Sequence, residues 1–155
     1  MNKNTTFIGK NLGKIIEKEF HNSEKLILIS SPAISLSIWK IILKILKKGV
    51  KIKIITSEKG GSNSDLTNQE AMKILNDKNN EITGLLEYKI IKEEKSKLIH
   101  PKIYIIDNKC AIVGSANLTE NGFYNYVEFI QLFKDENDIK IIEKDYQKLW
   151  KLFEC

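Results

Sequence analysis

The sequence predicts an α/β domain in which a mixed, mostly central β-sheet is flanked by helices on both faces. Three observations carry that expectation. Apolar runs of strand length, dominated by isoleucine, recur along the chain. Between them lie segments whose apolar residues return every three or four positions, as on one face of a helix. The 155 residues, 42% hydrophobic and 29% charged, suit one core of ordinary size. Residues 1–155 are therefore expected to form one domain, with no linker and no internal repeat.

The elements follow in order. Residues 5–20 carry Phe7, Ile8, Leu12, Ile15, Ile16 and Phe20 at helical spacing and predict a first helix, with Thr5 or Thr6 as its cap. KLILIS at 25–30 predicts a short strand ended by Pro32. Ile34, Ile38, Ile41, Ile42 and Ile45 mark one face of a helix that Gly49 terminates. VKIKIIT at 50–56 alternates as a half-buried strand does. SEKGGSNS at 57–64 reads as a loop; no Gly-Lys-Ser/Thr follows at phosphate-loop spacing. A helix through about residue 78 comes next, capped by Ser64 or Asp65. LLEYKII at 85–91 predicts a strand, and EEKSK at 93–97 a turn. The runs 102–107 and 110–114 predict a hairpin around Asn108-Lys109. VEFIQLF at 127–133 predicts another strand. From Asp135, a last helix sets Ile139, Ile142, Tyr146, Leu149 and Trp150 on one side.

Charge is uneven along the chain. Residues 1–60 hold 12 lysines against 4 acids, and residues 61–155 hold 13 against 16, which gives the net +5. All 25 basic residues are lysine. Lysines neutralise phosphates but lack the guanidinium fork that reads guanine, so sequence-specific base readout gains little support. Lys40, Lys44, Lys47 and Lys48 make the helix at 34–48 amphipathic; packing of its isoleucines on the sheet explains that pattern as well as contact with a membrane surface does. No apolar run approaches the ~20 residues that span a bilayer, and no secretory leader is expected after Met1. Cys110 and Cys155 lack metal-ligand spacing, and Cys110 reads as a small buried hydrophobe. A reduced, cytoplasmic location is the resulting expectation.

Residues 100–129, HPKIYIIDNKCAIVGSANLTENGFYNYVEF, gather nearly every group suited to chemistry. Residues i and i+2 of an extended chain share a face, so His100 pairs with Lys102, and Ser115 with Asn117. If the two segments are neighbours, an imidazole, an ammonium, a hydroxyl and an amide converge. That set fits a phosphate: one nucleophile or base and several donors for the oxygens. His21, the other histidine, ends a helix, where a cation suits the dipole. Phe123, Tyr124 and Tyr126 either line a groove beside the motif or pack the loop after Asn117.

The spacing H-x-K-x4-D-x6-G-S-x-N resembles the signature of the phospholipase D superfamily, with His100, Lys102, Asp107, Gly114, Ser115 and Asn117 filling its positions. Glu128, eleven residues past Asn117, stands where small nucleases of that superfamily carry a supporting glutamate. Many relatives place an Asn two residues before that Glu, where this chain has Tyr126; Asn125 is one residue off, and neither is given a role. The resemblance implies a covalent phosphohistidine at one histidine and acid–base work at a second. The chain has one motif, so it implies a two-fold homodimer that places a His100 from each subunit across the axis.

Within that scheme Lys102 and Asn117 stabilise charge growing on phosphorus, while Ser115 and Gly114 help bind the phosphate. Glu128 orients His100, and Asp107, grouped with the catalytic set, has a structural or supporting part. No metal and no cofactor are expected. The leading expectation is a metal-independent nuclease acting on DNA or RNA. A phospholipid phosphodiesterase and a non-catalytic nucleic-acid-binding module are the alternatives.

Overall fold

The computed structural model describes residues 4–58, 73, 85–92 and 99–153. Among these, seven strands form one sheet in the order β1-β7-β6-β5-β2-β3-β4. They are β1 (Thr5–Gly9), β2 (Leu26–Ser30), β3 (Lys51–Ser57), β4 (Leu86–Ile91), β5 (Lys102–Ile106), β6 (Cys110–Gly114) and β7 (Glu128–Phe133). β2, β3 and β4 run parallel, while the β2–β5, β5–β6, β6–β7 and β7–β1 ladders are antiparallel. Three α-helices accompany them: α1 (Gly13–His21), α2 (Leu36–Lys47) and α3 (Glu136–Leu152).

Strand alternation divides the core into two layers. Ile27, Ile29, Ile52, Ile54, Tyr104 and Ile112 face α1 and α2, where Ile16, Phe20, Ile38, Trp39, Ile42 and Ile45 meet them. Leu28, Ile55, Ile105 and Ala111 face α3 through Ile139 and Tyr146. The expected sheet with helices on both faces is what forms. It also accounts for the lysine-flanked helix, because the apolar side of α2 is spent on the sheet.

The first sixteen residues of the pattern divide differently from expectation. Thr5–Gly9 is a strand, not the start of a helix, and pairs with β7 from Thr5↔Leu132 to Gly9↔Glu128. Gly9 at φ +141° and Asn11 at φ +62° turn the chain before α1 begins. Both conformations are incompatible with a continuing helix. Neither threonine caps α1, which starts after Leu12 with no side-chain cap. Ile34 likewise precedes its helix, bridging Leu118 instead. The hairpin turn centres one residue earlier than expected: Asp107 (φ +53°) and Asn108 (φ +54°) are both left-handed, as a type I′ turn requires, and Lys109 N–H donates to the Ile106 carbonyl at 3.0 Å. Asp135 caps α3 through the amides of Asn137 and Asp138. The loop at 59–64, the turn at 93–97, Cys155 and, apart from Lys73, which is helical, the helix expected through residue 78 lie outside the described residues.

Candidate active site

Apart from Asp107, the motif residues sit where the parallel strands β2 and β3 end, the usual ligand side of such sheets. β5 enters at that end with Lys102, β6 leaves there with Gly114, and β7 enters with Glu128. The register Lys102↔Gly114 and Gly114↔Ile130 brings the three strand ends side by side.

His100 and Lys102 meet as the i, i+2 spacing predicts, with Lys102 Nζ 3.0 Å from His100 Nδ1. His100 is exposed, whereas Lys102 is only 9% exposed. Burial pulls the lysine below its ordinary pKa, against the charge of Glu128, which pushes it up. The contact has two proton arrangements. An ammonium donates to Nδ1 and leaves the proton on Nε2; a neutral amine accepts from Nδ1–H and leaves the Nε2 lone pair outward.

Glu128 has another partner than the one expected. Its carboxylate accepts a short hydrogen bond from the Ser115 hydroxyl, not from His100. Ser115 Oγ in turn accepts from the Phe129 amide at 2.9 Å, and the Ser115 amide donates to the Phe129 carbonyl at 2.9 Å. The serine has a single O–H, already committed to the carboxylate, so it orients Glu128 before it meets any phosphate. Gly114 also serves a neighbour: a Cβ there would stand 2.1 Å from the Phe129 carbonyl, so the absent side chain admits β7 and not a ligand. Asn117 is half-buried, and its Oδ1 is the one buried side-chain oxygen or nitrogen without a hydrogen-bond partner among the described residues.

Asp107 does not join this group. It closes the far end of β5, and its carboxylate accepts from the amides of Glu24, Lys25 and Leu26 at 2.8, 2.8 and 2.9 Å. Burial raises its pKa, but those amides together with Lys109 outweigh it and hold the carboxyl below its usual value. Its part is structural.

Phe123 is fully buried, and Tyr124 donates to Glu17 at 2.6 Å, so both pack the loop after Asn117 against α1. Of the three aromatics only Tyr126 stays open, at 56% exposure. His21 ends α1 beside Glu17, away from the motif. Ser30, Ser31 and Tyr104 support the site and were not singled out from sequence. The Ser-Ser pair closing an otherwise apolar strand was the available signal. No group of three or more His, Cys, Asp or Glu able to hold a metal occurs among the described residues. No helix among them is long and apolar enough to cross a membrane.

Comparison with known proteins agrees with this geometry. The family described as "Cardiolipin synthase, PLD-like domain" matches residues 16–150. Among solved structures, NucT from Helicobacter pylori is similar at TM-score 0.73 and 23% identity, over 96% of each chain. Nuc from Salmonella typhimurium, a phospholipase D family member, is similar at 0.68 and 16%, over 96% of this chain and 95% of that one. TrmBL2, an archaeal chromatin protein with a novel mode of DNA binding, is similar at 0.66 and 18%, over 97% of this chain and 53% of its own. No curated protein matches significantly. The chain belongs to the phospholipase D-like family.

Proposed function

From that membership we propose that the protein is a phosphodiesterase, and specifically a nuclease that hydrolyses DNA or RNA without a metal as a homodimer. The observation that carries the reading is the His100–Lys102 pair, with Nδ1 and Nζ 3.0 Å apart beside the Ser115–Glu128 hydrogen bond. A substrate phosphate draws the Lys102 ammonium to its oxygens. His100 then carries its proton on Nδ1, which leaves the Nε2 lone pair free to attack phosphorus. The N–P bond forms as the P–O bond to the leaving group breaks. The leaving oxygen takes a proton from the imidazolium of the second subunit's His100. That imidazole next removes a proton from water, whose oxygen attacks phosphorus and breaks the N–P bond. Lys102 and Asn117 of both chains stabilise the charge on the transferring group.

An exposed apolar corner supports the two-fold arrangement. Ile8 and Phe129 are register partners and share a face. With Val127 they are 77%, 46% and 67% exposed. α3 begins beyond the far end of β7 and packs over β2, β3, β5 and β6, which leaves this corner bare. Glu128 lies at the same end of β7 but on its opposite face, so an isologous contact through this corner pairs the strand ends that carry the two sites.

TrmBL2 is described as binding DNA, which favours nucleic acid as substrate, and NucT and the phospholipase D family member Nuc share this fold over nearly their whole length. The family description names a cardiolipin synthase, which keeps phospholipid as the second substrate class. The test offers protein in excess EDTA single-stranded DNA, plasmid, RNA and cardiolipin vesicles, alongside His100→Ala. Cleavage of nucleic acid by the wild type alone is expected. Cleavage of lipid only, or complete loss of activity on chelation, would overturn the reading.

A further inference from the structure

Resting on the phosphodiesterase reading of this site, we propose that Ser30, Ser31 and Tyr104 form one buried hydroxyl bracket that fixes the separation between the two halves of the motif. They are positioning residues for the reaction. Neighbouring residues at a strand end point to opposite faces of the sheet. Ser30 Oγ donates to the carbonyl of Pro101, the residue between His100 and Lys102, at 2.8 Å. Ser31 serves the other half. Its Oγ accepts from the Leu118 amide at 3.0 Å and donates to the Ala33 carbonyl at 2.8 Å. Tyr104, two residues past Lys102, donates to the Ala116 carbonyl at 2.7 Å.

Asn117 is thus gripped on both flanks, at Ala116 and at Leu118, while the His100–Lys102 segment is gripped at its midpoint. Ser30, the last residue of β2, and the adjacent Ser31 hold the two segments, so one peptide unit sets their spacing rather than the hairpin between them. All three groups are at most 1% exposed. A buried hydroxyl is costly unless bonded, and an apolar residue would fill the same space. What the hydroxyls add is direction. Gly122 completes the fit: a Cβ there would stand 2.4 Å from the Asn117 carbonyl.

Tyr104→Phe removes one oxygen and keeps the ring in the core. Ser30→Ala and Ser31→Ala remove the other bonds, and Ser31→Thr retains a hydroxyl. Two readouts apply to the full chain: steady-state cleavage of single-stranded DNA, and titration of inorganic phosphate followed by the His100 ring resonances. We expect kcat to fall by up to ~10²-fold in the deletion variants, the scale of a misplaced reacting group. KM for the polymer changes little, phosphate binds several-fold more weakly, and Ser31→Thr recovers most of the loss. Folded variants with wild-type kcat and wild-type phosphate affinity would overturn the proposal. A wild type that cleaves nothing, but whose phosphate binding weakens in the variants, keeps the bracket and removes the phosphodiesterase reading. A wild type that does not bind phosphate overturns both.

Discussion

The two ends of the β5–β6 hairpin carry motif residues of similar polarity and opposite fate. At the far end, Asp107 meets three backbone amides, and its hydrogen-bonding capacity is spent on the loop before β2. At the near end, Lys102 is buried with its pKa lowered, and Asn117 Oδ1 has no partner among the described residues. A satisfied carboxylate stabilises a turn. At the near end an open buried acceptor on Asn117 stands beside the His100–Lys102 contact. Six matching letters in the sequence are therefore two kinds of residue.

The largest effect that sharpens this contrast is at His100. His100→Ala should reduce turnover by at least ~10⁴-fold, as loss of a nucleophile does elsewhere, with the melting temperature unchanged because the ring is exposed. Equal losses of activity and stability would blur the two ends into one. Lys102→Met comes next, with ~10²–10³-fold less turnover. It should leave the fold equally or more stable by about 1 kcal/mol, since replacing a buried charge with a hydrophobe is often favourable. The sign follows from the lowered pKa. The folded state disfavours the ammonium, so the gain is present at neutral pH and fades as pH rises through the folded-state pKa toward that of the unfolded chain. Thermal melts at pH 7 and pH 10.5 test it.

Asp107→Asn should do the reverse. Activity per folded molecule stays, while stability falls by about 1–3 kcal/mol as a charged acceptor is lost from three amides. The depressed carboxyl pKa contributes stability above the unfolded value near 3.8, and that contribution is lost as pH falls through the folded-state value. The melting difference between wild type and variant should therefore shrink from pH 7 to pH 3. The smallest expected effect is Tyr126→Asn. It should change turnover little, because among the described residues this exposed ring has no side-chain partner beyond a 3.4 Å contact with Asn121; kinetics on single-stranded DNA measure it.

The hairpin was legible because its determinants are local: alternating isoleucines, two residues that tolerate left-handed backbone, and fixed spacing. The His100–Lys102 contact was legible for the same reason. β1 was not. Phe7, Ile8, Leu12, Ile15 and Ile16 fit a helix as a pattern, and only pairing with β7, more than a hundred residues away, makes Thr5–Gly9 a strand. Glu128 was legible as a site residue, but within a subunit its carboxylate meets the Ser115 hydroxyl and not His100, a contact made across the β6–β7 ladder. Ser30, Ser31 and Tyr104 looked like ends of apolar strands. Their meaning lies in carbonyls and amides that the fold brings to them.

Completion of the near end by a second copy is the proposal on which the chemistry depends. Sedimentation of active protein, with cleavage assayed across the fractions, tests this directly. Activity confined to a two-chain species, lost together with that species in Phe129→Glu, is the predicted result. Full activity travelling with a single chain would contradict it.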